Sequence, residues 1–259
     1  MSVDWRELWI YRELLFFLTW RDVKVRYKQT VIGVFWAVLQ PVATTAIFAV
    51  VFSRVANFSS PGVPYPLYVL SGLLIWLFIN NSVAFASNSL VGSSDLVTKI
   101  YFPRLIMPLA AVGAGLIDLA VGLVVLMIVM LFYGVTLSSQ LLFMPLFLGL
   151  AIVLTLSIGT LASALNVRFR DVKFALPFGL QIWMFASPIF YPLEILSERA
   201  RAVIDLNPLT GILTGFRSSL FGQPINWRSV GIGSLVTVLL AVGSIIVFKR
   251  MEDDFADMI

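Results

Sequence analysis

Residues 105–133 read LIMPLAAVGAGLIDLAVGLVVLMIVMLFY, a run whose only charged side chain is Asp118. An α-helix rises about 1.5 Å per residue and the hydrocarbon core of a bilayer is about 30 Å thick, so about 20 apolar residues cross it. This run is long enough with turns to spare. Outward from it lie five more stretches of the same kind: Val31–Phe52, Leu67–Phe85, Leu141–Leu165, Phe174–Phe190 and Val230–Phe248. Phe174–Phe190 is the shortest and is bracketed by Pro177 and Pro188. The expected fold is therefore an all-α integral membrane protein with six transmembrane helices, forming one transmembrane domain over residues 1–259. Composition agrees. Hydrophobic residues make up 59% of the chain and charged ones only 12%, against roughly 25% charge in an average soluble domain. A soluble fold of this length cannot hide so much apolar surface, so lipid must serve as solvent for much of it.

The placement of Lys and Arg sets the orientation. Thirteen of the 18 fall on one side: Arg6, Arg12, Arg21, Lys24, Arg26 and Lys28 before the first span, Lys99 and Arg104 in the second loop, Arg168, Arg170 and Lys173 in the fourth, and Lys249 and Arg250 in the tail. The other side holds Arg54, Arg199, Arg201, Arg217 and Arg228. The positive-inside rule puts the richer side, and with it both chain ends, in the cytoplasm. The first residues carry charge and aromatics rather than a short apolar run before small residues, so no cleaved signal peptide is expected.

Several chemistries are excluded. The chain has no cysteine and no histidine, which removes disulfides, thiolate metal sites, haem ligation by His and a His general base. No metal site or nucleic-acid partner is expected. No GxxxxGK[ST] loop occurs, so the chain has no phosphate-binding loop of its own for ATP.

Four regions carry candidate function. Before the first span, Asp4 to Trp20 mixes Trp5, Trp9, Tyr11 and Trp20 with Arg6, Glu7, Arg12 and Glu13, which suits an amphipathic helix at the membrane–water boundary or a patch drawn to anionic lipid. The second loop, Asp95 to Arg104, joins cations to aromatics just ahead of a span and stiffens its exit with Pro103 and Pro108. Such an element either transmits force from a cytoplasmic partner or simply anchors the third span. The fourth loop, Asn166–Lys173, is compact and basic, fit for lipid phosphate or for an acidic partner surface. Between the last two expected spans, Pro192 to Arg228 alternates Pro, Gly and charge with the short apolar pieces Ile212–Phe216 and Ser219–Phe221. These are too short to span and suit short helices that dip into the outer leaflet and return.

Two further features bear on transport. Asp118 lies well inside a span, where an ionised carboxylate is costly unless paired or hydrated. The small residues Gly113, Gly115 and Gly122 around it mark close helix packing, so it is either a hydrogen-bonded group at that contact or a proton relay. Sugar rings stack on aromatic faces, so Phe35, Trp36, Trp76, Trp183, Phe190 and Tyr191 could line a glycan path, although most membrane aromatics face lipid or pack between helices. Gln40–Pro41 and Ser187–Pro188 are positions where a helix can bend and free carbonyls.

Taken together these segments resemble, over essentially the whole length, the membrane subunits of ABC exporters for bacterial polysaccharides such as O-antigen. The resemblance rests on Arg21–Pro41 (RDVKVRYKQTVIGVFWAVLQP), Lys99–Arg104 (KIYFPR), Asn166–Asp171 (NVRFRD), Ser187–Tyr191 (SPIFY) and Asn207–Leu209 (NPL), in that order on a six-span layout. It implies a homodimer of a non-enzymatic chain in the bacterial inner membrane. Two copies of a separate P-loop ABC ATPase would hold the ATP and Mg. The N-terminal segment would be an interface helix beside that ATPase. Leu96, Lys99, Tyr101, Phe102, Pro103 and Arg104, with Arg168, Arg170 and Asp171, would couple it to the spans. The short helices of the fifth loop would gate the outer mouth. A lipid-linked glycan would pass between the copies along Phe35, Trp36, Gln40, Trp76, Trp183, Phe190 and Tyr191. Capsule, teichoic acid or another polyol are alternative cargoes. An ion-coupled carrier built on Asp118, or a membrane glycosyltransferase, would be a different class.

Overall fold

The computed structural model describes residues 5–28, 35–51, 62–136 and 138–258. Among the described residues every regular element is helical. In chain order the helices are α1 (Trp5–Ile10), α2 (Arg12–Lys28), α3 (Phe35–Val50), α4 (Tyr65–Ser89), α5 (Ser94–Lys99) and α6 (Ile106–Phe132). They continue with α7 (Met144–Arg168), α8 (Val172–Phe185), α9 (Glu198–Ile204), α10 (Pro208–Phe221), α11 (Trp227–Met251) and α12 (Phe255–Met258). Four of them, α4, α6, α7 and α11, are long and apolar enough to cross a membrane. Their centres fall where the apolar runs of the sequence put them. The expected start of the first span at Val31, its end at Phe52, and Arg54 lie outside the described residues.

Of the remaining two expected spans, the fifth is shorter than anticipated. Helix α8 has 14 residues, about 21 Å at the usual rise and so less than a hydrocarbon core, and the described part of the expected first span is α3, Phe35–Val50. The reason is plain for α8. Pro188 has no N–H to donate and disfavours helical geometry at the residue before it, so the helix stops at Phe185 and Ser187 turns its hydroxyl back to the Trp183 carbonyl at 2.7 Å. Residues 186–190 of the expected fifth span therefore leave the helix. In α3, by contrast, Pro41 sits inside a helix that continues to Val50.

Helix α4 is the centre of the bundle, buried from Leu67 to Ser87 on nearly every side. Small residues let its neighbours come close. A Cβ on Gly115 of α6 would collide with the Ser82 hydroxyl, one on Gly122 with Leu74, and one on Gly159 of α7 with Ala86 at 2.9 Å. This is the close approach that small residues permit where lipid supplies no hydrophobic drive between helices. The outer faces of α6, α7 and α11 instead expose Val124, Ile128, Leu131, Leu146, Leu235, Leu239 and Val242. Such a belt of apolar side chains is stable in hydrocarbon and not in water.

Two apolar clusters hold the chain. The larger fills the bundle from α4 outward to Phe190, Leu213 and Phe216. The smaller lies at the opposite end, where Leu18 of α2, Val97 of α5, Phe102, Leu105, Val167, Phe248 and Phe255 meet. The N-terminal segment, the second and fourth loops and the tail, which together hold 13 of the 18 Lys and Arg, thus share one end of the molecule. Helix α2 climbs beside α6 from that end: Thr19 abuts Gly113, and Arg26 reaches Asp118. Its apolar residues face both ways, with Leu14, Leu15 and Leu18 against protein and Phe16, Phe17 and Trp20 exposed.

At the far end, the pieces Ile212–Phe216 and Ser219–Phe221 belong to one helix rather than two. Asn207 caps α10 by accepting from the Leu209 N–H at 3.0 Å, and Gly222 ends it at φ 69°, a left-handed conformation that suits glycine. Helix α10 lies almost backbone to backbone on α11. A Cβ on Gly211 would overlap the Ser229 carbonyl, and one on Gly233 would stand 2.8 Å from the Pro208 carbonyl. We predict that Gly211→Ala costs about 1–3 kcal/mol through overpacking, while Gly231→Ala, which meets nothing within 4 Å, leaves the thermal unfolding midpoint in detergent unchanged.

Candidate functional site

Helix α5 begins with Asp95 in its first turn and ends with Lys99, which pairs with Asp95 one turn back at 2.7 Å. After it the chain extends through Ile100 and turns at Pro103. Tyr101 projects with 82% of its surface exposed, beside exposed Ile100, whereas Phe102 and Pro103 are buried and Leu96 is half-buried against the smaller cluster. The expected group thus divides: Tyr101 and Lys99 face outward, and Phe102 is an anchor. Arg104 does not project. Its guanidinium donates to the Glu252 carbonyl and its backbone N–H donates to Glu252 Oε1 at 3.2 Å. Arg168, Arg170 and Asp171 are exposed on the neighbouring turn between α7 and α8, with the Arg168 guanidinium over the Phe169 ring at 5.6 Å. Asn166, by contrast, is buried and donates to the Ser87 carbonyl at 2.9 Å, tying the end of α7 to the end of α4.

Partway along α6, Asp118 accepts from the Arg26 guanidinium and from the Tyr27 hydroxyl. Arg26 also lies over the Phe85 ring, 4.1 Å from its centre, a favourable cation–π position. The cost of a carboxylate at this depth is met by an opposite charge and a hydroxyl. Asp118 is therefore the hydrogen-bonded group at a helix contact, and the residue that satisfies it comes from the N-terminal segment. A cleft of about 160 Å³ opens beside this pair, and Trp36, Gln40, Asn81 and Phe85 help to line it.

The other end is organised by Arg217 of α10, which is fully buried. Its guanidinium donates to the carbonyls of Pro188 (2.6 Å), Ile189 (2.7 Å) and Tyr68 (3.0 Å) and to the Ser71 hydroxyl (3.3 Å), and it stacks on the Tyr68 ring at 3.6 Å. Gly72 makes the room, since a Cβ there would collide with the guanidinium. Tyr65 donates to the Phe190 carbonyl at 2.6 Å and Tyr68 to the Tyr191 carbonyl at 3.0 Å. Asn207 donates to the Ser187 hydroxyl at 2.8 Å and accepts from Trp183 Nε1 at 3.0 Å. The SPIFY and NPL pieces, 16 residues apart at their nearest ends in the chain, are thus one bonded unit.

The expected path residues fall into two groups. Phe35, Trp36 and Gln40 are exposed on α3. Of the others, Trp76 lies edge-on to Trp183 at 5.5 Å, Phe190 stacks on Phe48 at 4.0 Å, and the Tyr191 carbonyl accepts from the Tyr68 hydroxyl. Trp76 and Phe190 are buried. Sequence reasoning missed Arg26, Arg217 and Glu252 as site residues. The available signal for Arg217 was its place within an apolar stretch, Ile212–Phe221, where a lone cation needs acceptors.

The family described as ABC-2 type transporter matches residues 13–221. Among curated proteins, the chain is 29% identical over 258 residues to the O-antigen export system permease protein RfbA of Myxococcus xanthus, covering 98% of each. It is 25% identical to RfbA of Klebsiella pneumoniae over 95% of each chain. It is 24% identical to the polysialic acid transport protein KpsM of Escherichia coli, over 86% of this chain and 88% of that one.

The Arg26–Asp118 pair makes a quantitative prediction. Asp118→Leu and Arg26→Met should each destabilise by about 2–3 kcal/mol, somewhat less than a fully buried broken pair because both side chains keep partial exposure. The double variant should lose less than the sum of the two, a coupling that denaturation midpoints in detergent will read.

Proposed function

The chain belongs to the ABC-2 type transporter family, and from that premise we propose that it is the channel-forming membrane subunit of an ATP-driven exporter for a lipid-linked, O-antigen-like polysaccharide. The observation that carries the proposal is near-full-length likeness to polysaccharide export permeases in a chain without a phosphate-binding loop of its own. ATP is therefore hydrolysed elsewhere, on two copies of a partner P-loop subunit, and this chain makes no covalent bond. It is a single transmembrane domain in the bacterial inner membrane. Counting α3 and α8 with the four long helices gives six spans, and the basic end, with both termini, faces the cytoplasm.

Two copies pair so that the exposed apolar faces of α3 and α8 meet across a path. Those faces carry Phe35, Trp36 and Gln40 on one side and Phe174, Phe178, Ile182 and Phe185 on the other. Trp76, Trp183, Phe190 and Tyr191 shape the wall from behind. Closure of the ATPase pushes the tip at Ile100 and Tyr101, supported by Arg168, Arg170 and Asp171 of the adjacent turn. Helices α1 and α2 form the interface segment, and α9 and α10 form the outer gate. The capsule-type relative is matched over less of the chain, which ranks that cargo second. Pairing of Asp118 with Arg26 removes the free acid on which an ion-coupled carrier would rely.

The test is affinity purification of this chain expressed with its neighbouring genes. A P-loop subunit should co-purify in equal amount, with vanadate-sensitive ATP hydrolysis. Tyr101→Ala, which removes an exposed side chain, should leave the chain folded and lower export several-fold. A homo-oligomer without any ATPase would refute the proposal.

A further inference from the structure

The coupling loop is not self-supporting. Helix α5 has six residues, too few to hold a helix in isolation, and of its side chains only Val97 is fully buried. Much of what fixes the loop comes from the other end of the chain. Glu252, one residue past α11, gathers three bonds: Oε1 accepts from the Arg104 backbone N–H at 3.2 Å, Oε2 accepts from Lys249 Nζ at 2.6 Å, and its carbonyl accepts from the Arg104 guanidinium. Three residues later Phe255 is fully buried, edge-on to Phe248 of α11 at 5.2 Å and in the same cluster as Val97, Phe102 and Leu105.

We propose that the C-terminal tail is part of the coupling element: Glu252 and Phe255 are positioning residues that dock the loop at residues 94–105 onto the last helix. Displacement of the loop then reaches α11 as well as the α6 span that follows it in sequence. The onward connection is packed throughout. Helix α11 packs along α7, and its opposite end lies against α10 where Gly211 and Gly233 bring the two backbones together. Helix α10 carries Arg217, which holds the chain after α8 through the Pro188 and Ile189 carbonyls. One continuous helix of 25 residues therefore joins the place where force enters to the place where the fifth span is broken. This rests on the exporter reading for what does the pushing.

The experiment uses the full chain with its co-expressed ATPase subunit. Two quantities are compared: vanadate-sensitive ATP hydrolysis by the purified complex, and polysaccharide displayed by the producing cells, measured as acid-released surface sugar. For Glu252→Ala combined with Phe255→Ala, co-purification should be unaltered and hydrolysis should change by less than about twofold. Surface sugar should fall by about three- to thirtyfold, the range that residues on a coupling route command. Glu252→Gln should stay within about twofold of the unaltered chain, because its amide oxygen still accepts from the Arg104 N–H. If the double variant does not accumulate, Glu252→Ala alone carries the test with the same outcomes. Unchanged surface sugar would overturn the proposal. So would loss of co-purification, which would make the tail a docking surface instead. An unaltered chain that brings down no ATPase is a separate result, and it would refute the exporter reading itself.

Discussion

Hydrocarbon leaves no backbone N–H or C=O to be satisfied by solvent, and this chain breaks a helix inside its bundle at Ser187–Pro188. The freed carbonyls of Pro188 and Ile189 are taken by one guanidinium, Arg217, brought in from α10. Arg carries five N–H donors in a planar fork, and here the fork also reaches the Tyr68 carbonyl and the Ser71 hydroxyl. A buried cation is costly, and so are orphaned carbonyls. Set against each other they cancel much of that cost. The arrangement also explains why α10 is buried along most of its length although it is too short to span, and why Gly72 must have no side chain.

The same logic operates nearer the basic end. Asp118 and Arg26 would each be costly alone at their depth, and together they tie α2 to α6. Helix α2 is therefore more than a surface float. It rises along α6 with apolar residues on both faces, one toward protein and one outward. A segment that begins among the wet aromatics of the N-terminus ends as a structural partner of a long apolar helix.

How much of this was legible beforehand follows from the physics of each feature. The four long helices were, because a run such as Leu105–Tyr133 has only one environment in which it is stable. Their small residues also announced close packing, and Gly115 and Gly122 do meet neighbours across a helix contact. The shortening of α8 was only partly legible: Pro188 was visible, but apolar residues continue past it to Phe190, so hydrophobicity alone extends the span. Pairing was not legible at all. Nothing local to Asp118 names Arg26, which lies 92 residues away, and nothing local to Arg104 names Glu252, 148 residues on. Side chains that satisfy one another across a bundle leave no periodic trace in sequence. Arg217, counted with the cations of the far side, does lie at that end, but its burial among the Pro188 and Ile189 carbonyls left no local trace for the same reason.

Placed in order, these contacts give the exporter reading a physical course. On that reading, force would enter at the exposed tip of Ile100 and Tyr101, pass to helices anchored in the smaller cluster, and act at the far end on a segment held by Arg217 and Asn207. The broken helix and its buried clasp are where a path could open without exposing backbone to lipid. The most direct test of the account is transport in sealed vesicles that hold the co-purified complex and lipid-linked glycan extracted from the producing cells, with ion gradients collapsed. The account predicts that ATP alone moves the glycan to the opposite leaflet and that a non-hydrolysable analogue does not sustain it. Movement driven by a proton gradient in the absence of ATP would contradict it.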